Sequence, residues 1–327
     1  MSEANSDLRT WVQSAEWSAT TTPKLSILVP TYDHDVAPLC RELLADMAAL
    51  PAGTVELLVL IDGNPALAGQ DATITEANRL GLPAALALAA VNLGRSMARN
   101  RLARMARGRF LHFLDADSLP DAPGFVGRTL DALRDDGSRD VLVLCGGRTG
   151  KRLGAPPPDA QLFALHSQKR EWITADQRNL DPCGNFLSAN FVVPRALFFD
   201  MPFDEQFSGW GWEDTEWALR ISSRAQIRHI DNTVSHMEHH KDAVWLNRID
   251  RAADNYMRLY RLHPDAVRQH RIFPLIRALQ PLRGLPPLAA LLKCLALSTR
   301  LPPGIRLIFL KQFQALRYGA AMSRYFT

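Results

Sequence analysis

At 327 residues, 47% of them apolar, the chain can bury a large core, which excludes a disordered protein or a small stapled module. Four scattered cysteines (Cys40, Cys145, Cys183, Cys294) form no CxxC pair, which argues against a structural zinc site and for a reducing compartment. The net charge of +4 is uneven: no acidic residue follows Asp265, so residues 266–327 carry ten Lys or Arg and the rest carries −6. A tail of that kind is expected to have its own anionic partner.

After a polar lead over residues 1–23, Lys24-Leu25-Ser26-Ile27-Leu28-Val29-Pro30 reads as a buried parallel strand halted by proline. Leu39, Leu43, Leu44 and Met47 have helical spacing, and Val55 to Ile61 is a second strand ending in turn residues at Asp62-Gly63-Asn64-Pro65. Ala72 to Leu80 reads as a helix, Ala84 to Val91 as a strand, and Arg95 to Arg107 as a basic amphipathic helix. Phe110 to Leu114 is a further strand. Alternation of strands and helices predicts an α/β protein with a doubly wound, mostly parallel sheet. The dinucleotide glycine fingerprint is missing after the first strand, and Gly146 to Lys151 lacks Walker A spacing, so a nicotinamide enzyme and a P-loop ATPase are disfavoured. Asp242 to Leu262 reads as a long helical stretch, and the prolines beyond His263 are expected to cut the leucine- and arginine-rich tail into short helices.

Two places carry chemistry. Asp115-Ala116-Asp117 follows a buried strand, where ligands of open α/β sheets collect, and alternate positions of an extended chain let both carboxylates face one hard cation on a diphosphate. Gly209-Trp210-Gly211-Trp212-Glu213-Asp214 joins mobile glycines and indoles to an acidic helix start. Indoles can stack on a sugar ring and a neighbouring carboxylate can accept a hydroxyl proton.

In order along the chain, the blocks SILVPTYD, ELLVLIDG, NLGRSMARN, GRFLHFLDAD, GNFLSANFVVPRALF and FDEQFSGWGWEDTEWALR, followed by His236, resemble family 2 glycosyltransferases of the GT-A fold. The second half is similar to the galactosyl- and N-acetylgalactosaminyl-transferases with a WGxED motif, although Trp212 stands where glycine is usual. The resemblance covers roughly residues 24–240. It implies that Pro30, Thr31 and Tyr32 form the nucleotide-binding first loop, that Asp62 recognises uracil, and that Arg99 and Asn100 lie near the donor. By the same resemblance Asp115 sits near ribose and metal, Asp117 binds the metal directly and His236 completes the metal site, with His239 the second candidate. Two oxygens and one imidazole suit Mn²⁺ or Mg²⁺ better than a closed zinc cage.

Asp214 is implied as the base of an inverting transfer from a UDP-sugar, with Glu213, Trp210 and Trp212 binding a glycan or lipid-linked acceptor. The expected layout is a lead (1–23), a catalytic domain (24–241, split near 150) and a helical basic extension (242–327). That extension is expected to touch an anionic membrane surface, and nucleic acid is excluded as a partner because the tail lacks a binding motif and interleaved aromatics. With no signal segment and no apolar run long enough to span a bilayer, the expected location is the cytoplasm, peripheral on the inner face of the cell membrane. The alternatives are a sugar nucleotidyltransferase or a non-catalytic glycan-binding scaffold of the same fold.

Overall fold

Two apolar runs set the architecture. β2 (Leu25–Thr31) and β3 (Val55–Ile61) are buried along almost their whole length, which a strand can be only where helices cover both faces of its sheet. The computed structural model describes residues 8–20, 22–67, 71–134, 142–282 and 285–326. In it these strands pair in parallel near the middle of an eight-stranded mixed sheet. The order is β1 (Leu8–Gln13), β4 (Ala84–Ala89), β3, β2, β5 (Phe110–Leu114), β9 (Asn190–Pro194), β7 (Leu142–Cys145) and β10 (Gln226–His229).

One sheet face packs on α2 (Ala37–Ala48), α3 (Ala72–Leu80) and α5 (Phe125–Ala132), through Leu39, Leu43, Ile74 and Phe125. The other packs on α4 (Arg95–Met105) and α9 (Glu213–Ile221), through Leu102, Trp217 and Ile221. The fold is therefore the α/β arrangement that the alternation predicts, with a C-terminal helical extension. A second, three-stranded sheet joins β6 (Ser118–Pro120), β11 (Val234–His236) and β8 (Arg148–Thr149).

The lead is less featureless than its polarity suggests. Residues 8–13 form the antiparallel edge strand against β4, and Trp17 in α1 (Ala15–Ala19) lies under the Arg107 guanidinium, 3.8 Å from its ring centroid. Residues 1–7 lie outside the described residues, as does Arg283 of the tail. α4 is basic but not simply amphipathic, because Arg99 and Asn100 are buried with its apolar side chains.

The stretch read as one helix from Asp242 breaks at Ala252 into α10 (Asp242–Arg251) and α11 (Ala253–Leu262). Beyond it, Pro264, Pro274 and Pro286 fall in the first turns of α12 (Pro264–Gln269), α13 (Phe273–Leu279) and α14 (Pro286–Leu297), where a missing N–H costs nothing. The last helix, α15 (Pro303–Phe326), is not short: it runs for 24 residues because no proline interrupts it. These helices and α6 (Gln161–Arg170) enclose a third core around Trp245, Tyr256, Phe313 and Tyr318. Among the described residues no helix is long and apolar enough to cross a membrane.

Part of the tail's charge is met inside the chain. Arg317 pairs with Asp250 at 2.5 Å and Arg324 with Asp254 at 3.3 Å, both acids belonging to α10 and α11. Arg306 pairs with Asp242, and both side chains are almost fully buried. Asp242 also accepts from the Phe163 amide at 3.0 Å, so one carboxylate ties α6, α10 and α15 together. Removing one partner of such a pair leaves an uncompensated buried charge. We expect Arg306→Leu to lower stability by about 3–5 kcal/mol in urea unfolding; a loss under about 1 kcal/mol would mean that the pair does not hold the extension in place.

Candidate active site

The parallel strands β2, β3 and β5 end on one side of the sheet, and the loops after them open into a cavity of about 1640 Å³. Thr31, Asp62, Asp115, Asp117, Glu213 and Asp214 all line it. Residues as far apart in sequence as Thr31 and Asp214 thus share one cleft, with the carboxyl ends of the strands as one wall and the helical extension as the other.

Strand register places the first group. In the small sheet, β11 runs antiparallel to β6 with His236 opposite Ser118, and the Met237 amide donates to the Asp117 carbonyl at 2.7 Å. His236 Nε2 consequently lies 2.9 Å from Asp117 Oδ2. Burial would raise the Asp117 carboxyl, but His236, then Arg148 and Arg95, outweigh it and hold it well below the usual carboxylate range. Glu238 and His240 complete a group whose four potential ligand atoms lie within 4.8 Å of one another. The donor set fits a divalent cation: Asp117 Oδ1 and His236 Nδ1 are buried without a hydrogen-bond partner among the described residues, and burial, then the Arg248 charge, lowers His240 to about 3, leaving it neutral. His240 is less free than His236, since Arg248 lies 3.0 Å from its Nε2 and Glu238 lies 3.2 Å from its Nδ1. His239 stands apart from the group, with Nε2 3.0 Å from the Gly154 carbonyl.

Asp115 is engaged elsewhere. Arg99 Nη2 donates to its Oδ1 at 2.7 Å, and Arg95 lies 3.9 Å from its Oδ2. Arg95 Nε is also 3.2 Å from Glu213 Oε1. Burial opposes the Arg95 charge, but Glu213, Asp115, Asp214 and Asp117 together more than offset it and keep the guanidinium ionised. Asp214, second residue of α9, accepts only the Thr215 amide, at 2.8 Å, and no side chain bonds to it among the described residues. Burial first, then the neighbouring Glu213 charge, raises its carboxyl to about 7. That is the range in which a carboxylate can serve as a general base at neutral pH.

The remaining sequence candidates are placed as follows. Asp62 accepts from the Leu93 and Gly94 amides at 2.6 and 2.9 Å, so both its oxygens brace the start of α4. Pro30 and Thr31 end β2, with the Thr31 hydroxyl donating to the His34 carbonyl at 2.8 Å, while the Tyr32 ring is exposed. Asn100 exchanges two hydrogen bonds with the Phe203 backbone, which occupies its amide in pinning the chain before the tryptophan loop. Trp212 has a left-handed backbone, φ 75°, and its ring packs on Tyr256, His270 and Tyr318, with Nε1 3.2 Å from the Tyr318 hydroxyl. Trp210 is half-buried at the cavity wall.

The sequence matches the model of glycosyl transferase family 2 over residues 26–199, more than half of the chain. The chain belongs to this family. Its fold is similar to that of the mannosyltransferase PcManGT from Pyrobaculum calidifontis in complex with GDP-Man and Mn²⁺, with 18% identity and a TM-score of 0.57, covering 97% of this chain and 90% of that one. It is also similar to TarS of S. aureus, with 17% identity and a TM-score of 0.51, covering 92% and 55% of the two chains. No curated protein matches significantly. The family match sets aside the nucleotidyltransferase alternative.

Several residues of this glycosyltransferase's cleft carried no sequence signal. Arg148 sits among glycines that fail the phosphate-loop spacing, yet it pairs with Glu171 and its charge reaches Asp117. Arg95 looked like one more cation of a basic helix.

The raised Asp214 carboxyl has a thermodynamic consequence. A folded-state value near 7 against an ordinary 3.8 means that ionisation is disfavoured in the fold, so stability falls as pH rises between those values. Asp214→Asn keeps the acceptor for the Thr215 amide and removes the charge. In urea unfolding the variant is expected to match wild type near about pH 4 and to be the more stable at about pH 8; equal stability at both would contradict the environment described for Asp214.

Proposed function

We propose that this family 2 glycosyltransferase moves a sugar from a UDP-sugar to a hydroxyl of a glycan or lipid-linked acceptor, with inversion at the anomeric carbon. The observation that carries the reading is one cavity that holds both an imidazole and carboxylate cluster and Asp214, which has no side-chain partner among the described residues. Asp214 takes the proton of the acceptor hydroxyl as that oxygen attacks. Mn²⁺ or Mg²⁺, when bound, neutralises the diphosphate that departs. Asp117 and His236 are the residues that would hold it, with Glu238 or His240 joining them and Asp115 offering Oδ2 while its Oδ1 accepts from Arg99.

Pro30, Thr31 and Tyr32 border the nucleotide, and Asp62 either reads the base or, through Leu93 and Gly94, shapes the pocket that does. The choice of uracil rests on the likeness of the first two strand-end blocks to the family pattern. Glu213, anchored by Arg95, is placed to hold acceptor hydroxyls, and Trp210 and Trp212 to wall the acceptor side. A hexose or N-acetylhexosamine is the sugar class this reading favours, and synthesis of a surface polysaccharide or glycolipid, on the cytoplasmic side of the membrane, is the setting.

The test is release of free nucleotide from a panel of UDP-, GDP- and TDP-sugars, with and without Mn²⁺. Metal-dependent release from a UDP-sugar is expected, lost in Asp117→Asn and reduced about 10²–10⁴-fold in Asp214→Asn. No release from any donor would leave a non-catalytic scaffold as the better account. For wild type, kcat/KM should rise with pH through about 7, because the base works only when deprotonated; a flat profile across that range would remove Asp214 from the role.

A further inference from the structure

Six of the tail's ten cations can be sorted by what they face. Arg268, Arg306, Arg317 and Arg324 each pair with an aspartate. Arg271, between α12 and α13, and Lys311, on α15, instead line the cavity, together with Arg170 at the end of α6. No carboxylate pairs with any of these three among the described residues. Glu171, next in sequence to Arg170, is committed to Arg148, and the Lys311 ammonium donates only to Gln314 Oε1, at 3.1 Å. The three charges feel one another: burial and then Arg170 push Lys311 down to about 8, and burial and then Arg271 lower Arg170. His166, on the same wall, is lowered to about 4 by burial and then by Lys311, while the Glu171 carboxylate that opposes this shift is paired with Arg148.

Their position assigns them to the acceptor side. Arg271 follows His270, whose ring lies 5.3 Å from that of Trp212, and Lys311 is two helical turns before Tyr318, which also packs on Trp212. The charges that bear on Asp117 at the metal end are different ones, His236, Arg148 and Arg95. Like charges on one cavity wall that pair with no carboxylate are relieved by an anion, and guanidinium and ammonium donors match the oxygens of a phosphate group.

We propose that the acceptor carries a phosphate group, which is held by Lys311 from within the cavity and by Arg170 and Arg271 at its rim. The proposal rests on the transferase reading for the word acceptor, but the subsite itself does not need turnover. Arg170 and Arg271 are exposed, so an anion reaches them without any opening of the fold.

Calorimetric titration of the full chain with inorganic pyrophosphate, in metal-free buffer with chelator, tests the subsite. Wild type and Asp117→Asn should both bind at one site, with affinity falling as salt rises, and Arg170→Gln/Lys311→Gln should bind at least about tenfold more weakly. That double variant removes mutual repulsion, so its Tm should not fall below wild type. Undiminished pyrophosphate binding in the variant overturns the subsite, whatever the enzyme turns over.

The kinetic arm compares three acceptors: a hexose 1-phosphate, a prenyl-diphosphate-linked hexose and the neutral octyl hexoside. The variant should raise KM for the phosphate-bearing acceptors by about tenfold or more while KM for the donor stays as in wild type. Preference for the prenyl diphosphate over the hexose 1-phosphate assigns the phosphate to a lipid carrier, and the reverse preference assigns it to the sugar. Equal use of the neutral hexoside overturns the proposal. If pyrophosphate binding is lost in the variant but no donor ever releases nucleotide, the subsite stands and the transferase reading fails.

Discussion

Four carboxylates, Asp115, Asp117, Glu213 and Asp214, face one cavity, and on their own they would drive it apart. Two like charges about 4 Å apart cost roughly 4 kcal/mol at the effective dielectric of a protein near its surface. Helix α4 supplies the remedy, because its first two turns deliver Arg95 and Arg99 between the acids. Arg99 holds Asp115, Arg95 bridges Asp115 to Glu213, and His236 meets Asp117. Of the four, Asp214 has no compensating side-chain contact among the described residues, and its carboxyl is correspondingly hard to ionise. Counter-charge is thus unevenly distributed within a single cleft, holding Asp117 ionised and pushing Asp214 toward its neutral form.

The rest of the fold serves to keep those groups at their stations. Pairing of β6 with β11 fixes the distance from Asp117 to His236, and the Asp62 carboxylate braces the entry to α4. Asn255 donates to the Ser208 and Gly211 carbonyls at 2.9 and 3.0 Å, and Asn100 binds the Phe203 backbone, so the tryptophan loop is gripped from both sides before α9 begins. Trp212 occupies a left-handed position that normally favours glycine, and packing of its ring on Tyr256, His270 and Tyr318 offsets that strain. The C-terminal helices are thereby part of the cleft wall rather than an appendage beside it, and of their cations four pair with aspartates while Arg271 and Lys311 face the cavity.

Much of this was readable from the sequence where the signal is local. β2, β3 and β5 are buried apolar runs, and the acidic start of α9 is written in consecutive residues. What was not readable depends on register and packing. Nothing in the spacing of Arg148 joins it to Glu171, and His240 beside Asp117 follows from how β11 ends rather than from the order of histidines in His236-Met237-Glu238-His239-His240. Asn100 and Asp62 sit in family-like blocks, yet their hydrogen bonds go to backbone groups of this chain. The basic tail suggested a membrane, and ion pairs with Asp242, Asp250 and Asp254 account for three of its charges from within.

In the proposed transfer Asp214 is the single base beneath the attacking hydroxyl, and the sugar moves in one displacement. The anomeric configuration of the first-formed product, followed by proton NMR from an α-linked UDP-sugar, tests this most directly. A β-linked product is predicted. An α-linked product would contradict the single displacement and require a different assignment for both Asp214 and Glu213.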